Sequence, residues 1–246
     1  MNNILPFPKA KKEWFSIKNS SEDSADVFIY DVVGDSWEGN DAASVVKEIN
    51  ALNAKTINLR INSPGGSVFD GMAIFNALIN HPAKVITHID GAALSIASVI
   101  ALAGNDINMA ENAMFMIHNP WTFTTGDAKS LRKEADVLDQ VTQTIINTYE
   151  SRTGQDRESL AKAMSEETWY TADQALAAGF ITQVNKASKI AACADSQILK
   201  TLGFLRIPEN LSPAPAEPEN HSTSSTPATL LERKLALREK ELTLKS

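Results

Sequence analysis

The 246-residue sequence has a single cysteine, Cys193. That excludes a disulfide framework within the chain and a cysteine-based zinc site, and it points to a reducing compartment such as the cytoplasm. Basic charge is also short, with 23 Lys and Arg against 30 Asp and Glu, a net charge of −7. A general nucleic-acid binder would carry a basic patch or stripe, so no nucleic-acid partner is expected. Long apolar runs are missing. The longest, Ala92–Ala103, contains two serines and is too short for the ~20 residues of a membrane span. The lysines near the N-terminus precede no apolar run of ~7–15 residues, so no signal peptide is expected. Residue spacing suggests no metal and no cofactor. The protein is therefore expected to be soluble, cytoplasmic and unanchored.

The scarcities are unevenly placed. Glycine is nearly confined to the first 179 residues, no aromatic follows Phe204, and five of the ten prolines lie between Pro208 and Pro227. A stretch rich in Pro, Ser, Thr and Glu without aromatics buries too little apolar surface to fold and reads as a linker. Beyond it, Thr229–Ser246 is rich in helix formers, with Thr229 and Glu232 spaced as a capping box. Its leucines give an amphipathic helix, but too few heptads for a coiled coil. Four parts are expected: a segment over 1–24, a folded domain over 25–186, an extension and flexible linker over 187–228, and a helical tail over 229–246. The acidity belongs to the folded part, since residues 1–186 carry −8 and residues 187–246 carry +1.

Within that part, strand and helix patterns alternate. Strands are expected at Asp26–Val33, Thr56–Ile61, Lys84–Asp90, Ala113–Ile117 and Phe180–Val184. Helices are expected at Asp41–Leu52, Val68–Ile79, Leu94–Ala103, Asp127–Arg152, Arg157–Met164 and Ala172–Ala178. Gly154 stands where it would stop the longest helix. The alternation predicts an α/β fold with mainly parallel strands.

Three places could carry chemistry. Ile61–Gly66 (INSPGG) ends a strand on paired glycines, whose backbone can take positive φ and present N–H groups. Gly91–Ser98 (GAALSIAS) leads a strand through small residues into a helix, and Ser95 falls near its N-terminus, where N–H groups and the dipole favour developing negative charge. Taken alone, Ser95 reads as an N-cap; Ser98, one helical turn on, is the rival nucleophile but reads more readily as a small packing residue. Met114–Trp121 (MFMIHNPW) ends a buried-looking strand on His118, a suitable place for a base. His81, His88 and His221 have no comparable setting. Jointly the three supply a serine nucleophile, a histidine base and oxyanion donors, which together suit acyl transfer.

The order INSPGG, GAALSIAS, MIHNP, with 29 residues from Gly66 to Ser95, resembles the proteolytic subunit of the Clp protease across about Asp26–Asn185. The resemblance implies a ClpP/crotonase-like fold of repeated β-β-α and βαβ units with a long handle helix, here Asp127–Arg152. It implies a serine endopeptidase with Ser95 as nucleophile, His118 as general base, and the amides of Gly66 and Ile96 as the oxyanion hole. The family's acidic residue aligns with Glu167, with Glu166 as the alternative. The family's arginine before that acid is absent. Homo-oligomeric rings, heptameric or stacked, and polypeptide substrates are implied too. The phrases GDSWEG, ASVIALAG and MIHNPW look most like the branch of tailed phages and prophages that acts in head maturation. That implies phage capsid, scaffold or portal proteins as partners. Met1–Asp23 does not resemble the family's axial loops, which argues against docking of an unfoldase ATPase. Two other readings compete: a weak or inactive ring-forming scaffold, and a crotonase-type acyl-CoA enzyme, which needs no serine nucleophile.

Overall fold

The computed structural model describes residues 14–19, 21, 23–34, 42–186, 199–200 and 204–208. Contacts divide the chain into two compact units, Met1–Cys193 and Ala194–Ser246. In the second, the Phe204 N–H donates to the Leu199 carbonyl at 3.2 Å. The expected helical tail over 229–246, and the 187–228 linker apart from 199–200 and 204–208, lie outside the described residues.

The first unit runs β1 (Phe15–Asn19), β2 (Ser24–Tyr30), α1 (Ala42–Asn50), β3 (Thr56–Ser63), α2 (Val68–Ile79), β4 (Lys84–Leu94), α3 (Ile96–Ala101), β5 (Asp106–Ala110), β6 (Met114–Ile117), α4 (Ala128–Thr153), α5 (Arg157–Ser165), β7 (Thr168–Tyr170), α6 (Ala172–Ala177) and β8 (Gln183–Asn185). One sheet has the order β1-β2-β3-β4-β5-β8, with β6 on β4 and β7 on β6. Among the described residues only β1–β2 and β6–β7 pair antiparallel. The fold is mixed α/β, as the alternation predicts.

Register explains the core. Val27, Leu59, Thr87 and Ile107 form one row across four parallel strands, and Ile29, Ile61, Ile89 and Met109 form the next. All eight are buried. The intervening row Phe28, Arg60, His88 and Asn108 lies on the opposite face and is only half-buried. A parallel sheet covered on both faces has strands of continuous apolar sequence. Here the strands alternate because one face packs against the core and the other stays polar.

Three differences from the sequence expectation matter. First, β1 lies inside the segment set apart as 1–24 and pairs with β2, because Phe15 alternates with polar neighbours and buries its ring beside Trp14. Second, β5 was not expected; its Asp106 and Asn108 are poor strand formers, yet Ile107 and Met109 between them fill the core rows. Third, β4 continues past Asp90 to Leu94. It leaves β5 after Ile89 and takes β6 as its partner from Ala92 to Leu94. The following helix therefore starts at Ile96 and not at Leu94.

The long helix α4 is capped as its ends suggest. The Asp127 side chain accepts from the Ser130 N–H at 2.8 Å, and Gly154 closes it in the left-handed region at φ 68°. Its expected apolar face divides: Ile145, Ile146 and Tyr149 are buried, whereas Leu131 is 44% exposed. Among the described residues no helix is long and apolar enough to cross a membrane.

Candidate active site

The site forms where β3, β4, β6 and β7 end or begin. Ser95 follows β4 directly, and its N–H donates to the Met116 carbonyl at 3.0 Å, extending the β4–β6 pairing by one residue. It then turns sharply into α3, with φ 54° and ψ −129°. A non-glycine residue in that conformation stores about 1–3 kcal/mol of strain, and such strain concentrates at functional sites. Ser95 occupies the N-cap position of α3, yet its side chain makes no capping bond. Its Oγ lies 2.8 Å from Nε2 of His118 instead.

His118 is the residue after β6. The antiparallel register of β6 with β7 pairs Ile117 with Thr168, so the next residue of β6 faces the one before β7, which is Glu167. The Met164 carbonyl secures this corner by accepting from both Asn119 N–H and Glu167 N–H at 3.2 Å. Glu167 is 8% exposed and takes a left-handed φ of 50°. Its Oε1 accepts from the indole N–H of Trp169 at 3.2 Å. Glu166, the alternative acid, caps the end of α5 and is exposed.

Two opposed influences set the basicity of His118. Burial lowers its pKa, and the charge of Glu167 raises it; the net direction is below the ordinary imidazole value. The ring is therefore neutral at neutral pH, and its Nε2 can accept a proton from the serine hydroxyl beside it.

The glycine loop lies against this pair. Gly65 takes φ 92°, and a Cβ there would come within 2.7 Å of both the Leu94 carbonyl and Ser95 Cβ. Gly66 takes φ 151°, and a Cβ there would come within 2.2 Å of the Val33 carbonyl. Only glycine fits either position. Val33 bridges to this loop by donating to the Gly65 carbonyl at 2.7 Å and accepting from Ser67 N–H at 2.9 Å. That pattern leaves the Gly66 N–H outside the bridge. Ile96 is the first helical residue of α3, so its N–H has no intrahelical acceptor.

Beside Ser95 and His118 lies a cleft lined by Val68, Ile96, Val99, Pro120, Ile145 and Tyr149. Three residues here escaped sequence reasoning, and a fourth was read only in part. Gly71 in α2 lets that helix approach Ile96, since a Cβ would lie 2.2 Å from Ile96 Cγ1; a glycine inside a helix is the available signal. Trp169 and Tyr149 had no signal of their own. Ser98, read as a packing residue, is hydrogen-bonded on two sides.

The fold and this pair define a class, an α/β protein with a hydrogen-bonded serine and histidine at the sheet's carboxyl edge. A sequence model of the family described as Clp protease matches residues 9–188, and the chain belongs to that family. It is 30% identical over 132 residues to the ATP-dependent Clp protease proteolytic subunit 2 of Mycolicibacterium paratuberculosis, covering 53% of this chain and 66% of that protein. It is 34% identical over 149 residues to the subunit 2 of Thermobifida fusca, covering 58% and 73%. It is 29% identical over 133 residues to the subunit 1 of Mycobacterium bovis, covering 53% and 66%. The chain thus spans just under two thirds of the first of these relatives.

Proposed function

We propose that the protein is a serine endopeptidase. The observation that carries the reading is the 2.8 Å contact of His118 Nε2 with the Oγ of a conformationally strained Ser95. Ser95 Oγ attacks the peptide carbonyl carbon as His118 Nε2 takes its proton. Glu167, held by the Trp169 indole, orients the imidazole and stabilises its charged form. The amides of Gly66 and Ile96 receive the oxyanion, an effect worth about 3–4 kcal/mol per donor. Collapse breaks the C–N bond, His118 returns the proton to the departing amine, and an acyl ester remains on Ser95. Water, deprotonated by His118, then releases the carboxylate. The apolar cleft suits an apolar side chain next to the scissile bond.

The exposed N-terminal half of α4 supports assembly into homo-oligomeric rings, with the peptide cut in an enclosed chamber. We extend the reading to phage head maturation on the motif phrases alone, with capsid, scaffold or portal proteins as substrates. The unlikeness of Met1–Asp23 to the family's axial loops argues against docking of an unfoldase ATPase there. A crotonase-type reaction has no use for the Ser95–His118 contact. The test is hydrolysis of a quenched fluorescent peptide by the purified oligomer. Turnover abolished by Ser95→Ala is the expected result, and turnover that persists in Ser95→Ala contradicts the reading.

A further inference from the structure

We propose that Tyr149 and Ser98 form a positioning relay that fixes the orientation of the Ile96 amide. Its effect on rate rests on the peptidase reading above; its effect on the backbone does not. Ser98 Oγ lies 2.5 Å from the Ser95 carbonyl oxygen and 2.6 Å from the Tyr149 hydroxyl. A carbonyl can only accept, so the single proton of Ser98 goes to Ser95. The Tyr149 proton must then go to Ser98 Oγ. The chain has one direction: Tyr149 O–H to Ser98 Oγ, Ser98 O–H to Ser95 carbonyl.

The Ser95 carbonyl and the Ile96 N–H belong to one peptide unit. That unit is planar, with its C=O and N–H pointing in opposite directions. Holding the oxygen therefore also fixes the direction of the N–H, whose nitrogen lies against the glycine loop, 3.2 Å from where a Cβ on Gly65 would stand. The backbone Ser98 N–H adds a second bond to the same carbonyl at 3.0 Å. Polarising the carbonyl from two donors also strengthens the N–H as a donor. The device answers a local need, because Ser95 stands in a strained conformation from which its peptide could rotate.

The origin of the relay is itself held rigidly. Tyr149 is 1% exposed in the C-terminal half of α4, and its ring packs edge-on against Phe180 at 5.7 Å. Burial pushes its phenol up, so it stays a donor across the working pH range. One turn on, Arg152 donates to the Gly104 carbonyl at 2.5 Å. Thus α4 grips the chain at Ser98 within α3 and at Gly104 beyond its end. The Tyr149 ring also lines the cleft, but its hydroxyl reaches the Ser95 carbonyl through Ser98.

Kinetics of Tyr149→Phe, Ser98→Ala and the double variant test this, together with inhibition by a peptide aldehyde, whose hemiacetal oxygen occupies the oxyanion position. One direct oxyanion donor is worth about 10²–10³ in kcat, and indirect misalignment should cost less, about tenfold in Ser98→Ala. KM should change less than about twofold, and aldehyde affinity should fall in step with kcat. The double variant should match Ser98→Ala, because Tyr149→Phe keeps the ring that lines the cleft and removes only the hydroxyl, which bonds Ser98. Unchanged kcat in Ser98→Ala, or additive losses in the double variant, overturns the relay. If wild-type Ser95 fails to react with a fluorophosphonate, the peptidase reading fails on its own. The crystal structure of Ser98→Ala then decides the relay: a rotated or doubled Ser95–Ile96 peptide supports it, and an unmoved peptide overturns it.

Discussion

At the scale of single residues, the site turns on how an imidazole is made neutral yet responsive. Burial outweighs the charge of Glu167 at His118, so the acid limb of kcat/KM should fall below the ordinary imidazole value. Only the neutral ring accepts the serine proton, so a lowered pKa extends activity toward acid. Glu167→Gln removes the one influence that raises this pKa. The acid limb should therefore move to still lower pH while the plateau rate falls, by about 10²–10⁴-fold if the carboxylate serves as in other triads. A pH–rate profile of the two proteins checks both parts, and an upward shift of the limb would contradict them. Trp169→Phe removes the indole N–H that holds Glu167 at 3.2 Å. It should reduce kcat by less than Glu167→Gln does. Gly66→Ala is expected to be severe: at φ 151° its methyl meets the Val33 carbonyl, so the loop must shift. Since the Gly66 amide is one of the two proposed oxyanion donors, kcat should drop at least about a hundredfold.

At the scale of elements, register does most of the positioning. β4 leaves β5 after Ile89 and joins β6 at Ala92, which brings Ser95 beside the end of β6. The antiparallel β6–β7 step then brings Glu167 to His118. None of this switching was legible in the sequence, because Gly91–Leu94 reads equally as strand or helix entry, and β7 is only three residues long. Motif chemistry was legible: Ser95, His118 and the paired glycines stand out by type and spacing. So were the bounds of α2, expected and found at Val68–Ile79, and the end of α4 at Gly154. What escaped were residues whose partners are distant in sequence, such as Tyr149 with Ser98. The polar sheet face supplies a stability test. Asp90 is 5% exposed, accepts from Tyr30 O–H at 2.6 Å and pairs with Arg60 at 2.5 Å. Burial and the Asp90 bond push the Tyr30 phenol up to about 12. Asp90→Ala strands both partners, but Arg60 keeps access to water. The expected loss is about 1–3 kcal/mol, read from denaturant unfolding. A variant as stable as wild type would show that the network holds nothing.

At the scale of the whole molecule, composition changes near the end of the family match. The family match ends at residue 188, close to where the sequence turns from −8 to +1. We expect deletion of Pro208–Ser246 to leave peptide hydrolysis intact and to impair processing of head proteins during phage assembly. Equal processing by the truncated protein would contradict this expectation. The exposed half of α4, with Leu131 at 44%, predicts that Leu131→Glu disrupts ring assembly, measurable by light scattering.

The central claim is that Ser95 is a nucleophile activated by His118, and its most direct measure is covalent labelling. The assembled protein should react with a fluorophosphonate, and peptide mapping by mass spectrometry should find the adduct on Ser95. The label should vanish in Ser95→Ala and fall steeply in His118→Ala. An adduct on another residue, or equal labelling of Ser95 without His118, would contradict the account.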